Sequence, residues 1–385
     1  MRKAYYVDSF SAGHFHEMYN ASSLLMFSHL YDKIDFFAGR TASSNTIELL
    51  KELPANVSLH FHFIAENKKT RLRNGIRKIW SALLNIFYII KAPQDTDIII
   101  NYNTVISLYP INFLVKFIRK RVLIVCHGEM QDILEKRPVS FLFKKSICFF
   151  KKTNVSVSKT LWFAVLGEAI KLNVLKIVSP QIAAKILSFE HTAIFSIVDE
   201  VPKNNGEKLV LGYLGGFRES KGASTFMELS RHFKSDKNIE FRFIGNVQGK
   251  GKELEDSGVV IPDGIGNCFI DRVVMYNHIK KLDYALYCFP RDGYKYTASG
   301  SLFDAIDCET PILSLKNDYF EGMFQECGDF GYLEDDFYSL ERRIIWLKEH
   351  KKDAVWPMYQ IKEKLSPAFA AQKFSESAWF NDKKN

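Results

Sequence analysis

Short apolar segments of strand character alternate with helical segments along this chain, and they do so in two runs. The first run places strands at Ala4–Asp8, Ile34–Phe37, Val57–Ile64, Asp97–Tyr102, Val122–Cys126, Trp162–Leu166 and Lys185–Phe189. Helical patterns fall between them, near Glu17–Leu30, Ile47–Leu53, Ile76–Ile90, Ile111–Arg119 and Phe141–Phe150. Strand–helix–strand alternation implies crossover connections, and hence parallel sheets. A polar stretch, Glu190–Glu207, contains Pro202, Asn204, Asn205 and Gly206 and reads as a linker. The second run restarts with strands at Leu209–Leu214, Glu240–Ile244, Gly258–Ile261, Tyr284–Phe289, Ile312–Leu315 and Gly331–Leu333. The expectation is an α/β protein of two Rossmann-like parallel-sheet domains. Residues 1–190 form the first, 191–207 the linker and 208–366 the second, with a helical tail over 367–385. At 385 residues each domain is long enough for its own core.

Composition excludes several classes. The chain is 47% hydrophobic and 25% charged, as globular proteins are. Its six cysteines (Cys126, Cys148, Cys268, Cys288, Cys308 and Cys327) are scattered with no CxxC pair. Reduced, buried thiols are expected, with neither a disulfide frame nor a zinc site. The start, MRKAYYVDSF, enters a strand without the apolar core of a signal peptide, so a cytoplasmic location is expected. The longest apolar candidate, Trp80–Ile90, has 11 residues, short of the roughly 20 that span a bilayer. No RNP, zinc-finger or helix-turn-helix pattern points to nucleic acid.

Charge is unevenly distributed. Residues 1–190 hold 26 Lys and Arg against 14 Asp and Glu, a net of +12, whereas residues 191–385 hold 26 against 30, a net of −4. Two stretches in the basic half mix cations with aromatic and aliphatic residues: Lys68–Ile90 (KKTRLRNGIRKIWSALLNIFYII) and Phe141–Lys152 (FLFKKSICFFKK). Such stretches suit the surface of an anionic membrane at the inner face of the cell. The alternative is that the apolar side is core and the lysines are solvated.

Two segments of the second half carry anion-binding chemistry. Tyr296–Leu313 (YTASGSLFDAIDCETPIL) follows a strand and a polar loop, opens with small hydroxyl and glycine residues, and enters a helix near Ser301. A helix start after a Gly/Ser loop presents unpaired N–H groups and partial positive charge, which suits a phosphate. An ordinary capped strand–loop–helix turn would look similar. Lys208–Gly222 (KLVLGYLGGFRESKG) runs from a buried-type strand through a double glycine to Arg218 and Lys221 at the start of a helix over Ala223–Phe233. Cations beside a helix start reinforce an anion site.

Together these segments resemble a GT-B glycosyltransferase, and specifically glycosyltransferase family 4. The resemblance rests on Lys221-Gly222, Asp304-Ala305 and Thr310-Pro311-Ile312. The family's first acidic position is occupied here by Tyr296, and its arginine by Gly215, with Arg218 nearby as a substitute. The resemblance implies two domains facing a central cleft and a terminal helix that crosses back to the first domain. It implies a nucleotide-diphosphate sugar as co-substrate, bound by Gly216, Arg218, Lys221, Gly245, Asn246, Tyr296, Ser299, Gly300, Ser301 and Asp304. The loop over residues 263–267 would join Asn246 around the base and ribose. No metal or cofactor is expected, because cationic side chains and helix amides would take the charge of the leaving diphosphate. Glu334-Asp335-Asp336 is acidic but is not expected to ligate a metal.

Ligands of open parallel sheets bind beyond the C-terminal strand ends. In the first domain the loop Ser9–Asn20 carries Gly13, His14, His16 and Glu17. His14 and Glu17 read equally as capping residues, whereas the resemblance places the glycine loop near sugar and acceptor. His127 and Glu129 follow the strand Val122–Cys126. A histidine there can contact the transferred sugar or move a proton, and the family commonly carries one at the matching strand end. Glu129 is a candidate for hydrogen-bonding acceptor hydroxyls. Gly167-Glu168 and Glu190-His191 close two further strands. The implied activity is transfer of a sugar, with retained configuration, to an oligosaccharide acceptor, itself lipid-linked, in bacterial surface polysaccharide assembly. The alternatives are a catalytically degenerate scaffold partner and a nucleotide-sugar epimerase of the same architecture.

Overall fold

A computed structural model of the chain describes residues 1–64, 71–132, 141–195, 206–267, 270–351 and 354–381, without the side chains of 71–74, 129, 132 and 141–143. It divides into two compact units. One comprises Met1–Ile194, Tyr296–Ala298 and Leu365–Asn385, the other Phe195–Lys295 and Ser299–Lys364.

The first unit is built on strands β1 (Lys3–Asp8), β2 (Lys33–Gly39), β3 (Val57–His62), β4 (Thr96–Tyr102), β5 (Val122–Cys126), β6 (Leu161–Leu166) and β7 (Ile186–Phe189). They form one sheet in the order β3-β2-β1-β4-β5-β6-β7, and every pairing is parallel. β5 and β6 are buried along their whole length, as expected of strands covered on both faces. Helices α1 (Glu17–Ser28), α2 (Arg40–Leu50), α3 (Arg71–Lys91) and α4 (Leu108–Ile118) provide the crossovers. Phe27, Phe36, Phe189 and Phe374 lie in a core on this sheet. Phe374 belongs to the tail helix Pro367–Ser375. The tail is further held by Trp379, whose indole N–H donates to the Tyr31 hydroxyl at 2.9 Å. Arg121 stacks over the Trp379 ring.

The second unit holds β8 (Leu209–Leu214), β9 (Ile239–Ile244), β10 (Val259–Val260), β11 (Tyr284–Tyr287), β12 (Ile312–Leu315) and β13 (Gly331–Glu334). They form a parallel sheet in the order β10-β9-β8-β11-β12-β13 around a core that includes Leu211, Tyr213, Phe226, Phe243 and Leu286. In both sheets the chain first builds outward from one central strand and then returns to its other side. The switch points fall between β1 and β4, and between β8 and β11.

Several boundaries differ from expectation for local reasons. α2 starts at Arg40, ahead of the expected Ile47. Its first turns, Thr41–Thr46, look like loop because they are rich in Ser, Thr and Asn. Yet Ser43, Ser44 and Thr46 each donate to the carbonyl four residues back, so the hydroxyls are satisfied inside the helix. The tail helix stops at Ser375, and a separate short turn covers Ala378–Asn381. The helix from Phe141 tightens to a 3₁₀ turn at Cys148–Phe150. The acidic run Glu334–Asp336 is engaged structurally. Glu334 pairs with Arg343, Asp335 with Lys316, and Asp336 caps the helix Phe337–His350.

Candidate functional site

At the switch point of the second sheet, the loops after β8 and β11 bring a cation and a helix start together. β8 ends at Leu214 and is followed by Gly215, Gly216 and Phe217; Arg218 then leads into a 3₁₀ turn, Glu219–Lys221. Lys221 folds back over this loop. Gly215 has a φ of +99°, and a Cβ there would lie 2.9 Å from the Lys221 Nζ. Glycine is therefore what lets the ammonium approach the loop backbone.

The Lys221 ammonium donates to the Ser301 hydroxyl at 3.3 Å. Ser301 lies in turn 3.2 Å from the Ser299 hydroxyl. Both serines sit at the start of the helix Gly300–Asp307, where no preceding turn supplies carbonyls to the first amides. The Phe289 and Tyr294 rings lie 5.8 and 5.7 Å from the ammonium. Burial first, then the nearby Arg218, pulls the Lys221 pKa down to about 8, with Asp304 opposing them. A lysine so placed is disfavoured as a cation until an anion joins it.

Asp304, one helical turn after Ser301, is half-buried and lies 3.7 Å from Arg272. Burial raises its pKa to about 6, opposed by Arg272 and increased by Asp307. The Asn246 amide donates to the Asn267 carbonyl at 3.0 Å, and its oxygen accepts from the Gln248 N–H at 2.9 Å. Gly245 packs against the Gly215 backbone too closely for a side chain. The structure therefore gathers Gly215, Gly216, Arg218, Lys221, Ser299, Gly300 and Ser301 at one strand edge, with Gly245 beneath them. Tyr296 is not among them. It is buried with the first unit, and its N–H donates to the Gln131 side chain at 3.3 Å.

The first unit places a histidine group at its own switch point. His127 ends β5, and its Nε2 donates to the Asn101 carbonyl at 2.6 Å. That bond assigns the proton to Nε2 and leaves Nδ1 as the lone-pair nitrogen. The His16 ring stacks on it at 4.9 Å, and the Tyr19 ring meets it edge-on at 4.3 Å. His191 lies 5.0 Å from Tyr19. Burial first, then the adjacent His16, pulls the His127 pKa down to about 3, and burial with His127 does the same to His191. Both imidazoles are therefore neutral near pH 7. The Thr297 hydroxyl donates to the His127 carbonyl at 2.8 Å.

The loop after β1 is held by the buried Asp8 carboxylate, which accepts from the Phe10 and Ser11 amides and from Asn20. Gly13 adopts a φ of +58°, with open space where a Cβ would stand. His14 is exposed and 2.6 Å from Glu17, and so is held by the helix start rather than by His127. The Glu129 side chain lies outside the described residues. His16 and His191, both in strand-end loops of the sequence, join His127, and Tyr19 joins them although nothing in the sequence singles it out. His16 reaches His127 because it takes a left-handed conformation, φ 58°, ahead of α1. Among the described residues no group of three or more His, Cys, Asp or Glu side chains could hold a metal ion.

No known family profile matches the chain, and no curated protein sequence matches it. Solved structures do. TarM superposes with a TM-score of 0.65 at 14% identity, over 99% of this chain and 98% of its own. HepE of Anabaena, in complex with UDP, gives 0.61 at 11% identity, over 98% and 99%. The lipopolysaccharide outer core galactosyltransferase WaaB gives 0.57 at 15% identity, over all of both chains. Likeness over the full length of these GT-B glycosyltransferases, in both parallel sheets, establishes that this chain has the GT-B fold.

Proposed function

We propose that the chain is a glycosyltransferase that moves a sugar from a nucleoside-diphosphate sugar to a hydroxyl of an oligosaccharide acceptor. The reading includes a lipid-linked acceptor, surface polysaccharide assembly, retention at the anomeric carbon and a peripheral position at the cytoplasmic face of the membrane. The observation that carries it is the half-buried Lys221 ammonium on Ser301 at the start of the helix Gly300–Asp307. A diphosphate supplies the charge this site lacks. Neighbours of the same fold bind the corresponding ligands: HepE is seen with UDP and with UDP-glucose, and S. aureus TarM with UDP and α-GlcNAc-glycerol.

In this reading the bond between the anomeric carbon and the diphosphate oxygen breaks, and the electron pair leaves with the nucleoside diphosphate. Lys221, Arg218 and the amides of Ser299, Gly300 and Ser301 meet that charge, so no metal is required. The acceptor oxygen bonds to the anomeric carbon, and its proton passes to the departing phosphate oxygen. His127, neutral and tautomerically fixed, acts as a hydrogen-bonding group toward sugar hydroxyls. Its depressed pKa makes it a poor base.

The test is a thermal-shift panel of UDP, GDP, CDP, ADP and their sugar conjugates, followed by a transfer assay with the stabilising donor. At a hundred times its dissociation constant a ligand adds about 2.7 kcal/mol to stability. Stabilisation by one diphosphate supports the reading; no stabilisation by any member overturns it.

A further inference from the structure

α3 carries two apolar stripes where a crossover helix needs one. Residues Arg77, Ser81, Leu84, Asn85, Tyr88 and Ile89 are buried against the first unit. A second stripe of Ile76, Ile79, Trp80, Leu83, Phe87 and Ile90 is 42–58% exposed. Its spacing follows the helical repeat, so it is continuous along about 21 Å of helix. Further exposed apolar residues lie on neighbouring segments. The Trp80 indole N–H donates to the carbonyl of Phe63, itself 75% exposed. On α4, Phe113 and Phe117 are 66% and 69% exposed, and their rings lie 4.8 Å apart. Scattered exposed apolar residues need no explanation, but a stripe repeating along α3, with an exposed aromatic pair on α4, does.

The two helices carry charge of one sign only. α3 and α4 contain no Asp or Glu. Lys91 lies over the Phe87 ring at 5.7 Å, and Lys116, three residues after Phe113, neighbours it on the surface of α4. No described helix is long and apolar enough to cross a membrane. The other basic-aromatic stretch behaves differently: its Phe149 and Phe150 are fully buried.

We infer that this face of α3 and α4 is a docking surface for an anionic lipid bilayer, with the apolar stripe entering the headgroup boundary and the lysines meeting lipid phosphates. An amphipathic face with aromatic residues and flanking cations has this chemistry. Two copies of the chain packed through it would set like charges against each other, which disfavours a homodimer. The inference deepens the reading of an enzyme acting on a lipid-linked acceptor and can fail separately from it. Vesicle binding does not require Lys221, and nucleotide binding does not require Phe87.

The test is co-sedimentation of the full chain with phosphatidylcholine–phosphatidylglycerol vesicles and with phosphatidylcholine vesicles alone. Binding is expected to the mixed vesicles and to weaken with salt. Leu83→Ser with Phe87→Ser, and separately Phe113→Ser with Phe117→Ser, are each expected to lower it roughly tenfold or more. Lys91→Glu with Lys116→Glu is expected to abolish the preference for anionic lipid. Melting temperature and nucleoside-diphosphate binding, measured on the same variants, are expected to be unchanged because the altered side chains are exposed. If one pair disturbs folding, the other, on a different helix, still decides. Failure to bind mixed vesicles, or binding indifferent to both apolar pairs, overturns the inference. So does a wild-type dimer in sedimentation equilibrium that the Leu83→Ser, Phe87→Ser variant dissociates.

Discussion

The Lys221 ammonium and the Ser301 hydroxyl stand 3.3 Å apart across 80 residues of chain. β8 and β11 are neighbours in the sheet, so the loops that follow them meet at one edge. If this pair holds a diphosphate, Lys221→Ala removes a charge-assisted hydrogen bond of about 1.5–3 kcal/mol. The nucleoside-diphosphate Kd is then expected to rise roughly tenfold to a hundredfold, measured by calorimetry. Lys221→Arg should recover only part of it, because a planar guanidinium does not fit a point-charge site. Unchanged affinity in Lys221→Ala would remove the phosphate site.

The same lysine gives binding a pH dependence. In the free protein it titrates near 8, and a bound anion stabilises its charged form and raises that value. Below pH 8 the ammonium is present before and after binding, so affinity is flat on this account. Above pH 8 binding must take up a proton, and affinity falls by at most about tenfold per pH unit. Calorimetry in buffers of different ionisation enthalpy should show net proton uptake at pH 9 that is absent in Lys221→Ala.

His127 and His191 make the first unit sensitive to acid. Both have folded pKa values of about 3, against about 6.5 in an unfolded chain. Between those values the unfolded state binds more protons, so stability rises with pH through the window and is lost as pH falls from 6.5 toward 3. His191→Phe should therefore lose less stability than the wild type between pH 7 and pH 5 in urea unfolding. An identical loss would mean that His191 is already protonated in the fold.

Gly222 separates stability from binding. Its φ is +73°, and a Cβ there would overlap the Cys288 carbonyl. Gly222→Ala is expected to destabilise by at least ~2 kcal/mol, because strain and overlap with backbone add. A lowered melting temperature with nucleotide affinity retained below it is the expected pattern. A melting temperature like the wild type's would show that the loop shifts without cost.

Much of this protein was legible in its order of residues. Alternating apolar runs and helical patterns mark the strands of both sheets, because central strands such as β5 and β6 are buried on both faces and must be apolar throughout, and each parallel partner requires a crossover. The Gly-Gly-Phe-Arg and Ser-Gly-Ser loops are likewise visible, since glycine, small hydroxyls and cations at strand ends are chemically distinctive. Tertiary structure alone decided the rest. Tyr296 and Ser301 are five positions apart, yet Tyr296 packs with the first unit while Ser301 joins Lys221, because long-range contacts, not spacing, set where a loop residue is buried. His16, Tyr19 and His191 meet His127 only because the ends of α1, β5 and β7 converge. The sequence of α3 shows apolar residues on two sides of a helix. Only packing reveals that one side is core and the other faces solvent, because hydrophobicity is a property of the residue whereas burial depends on what the rest of the chain leaves uncovered.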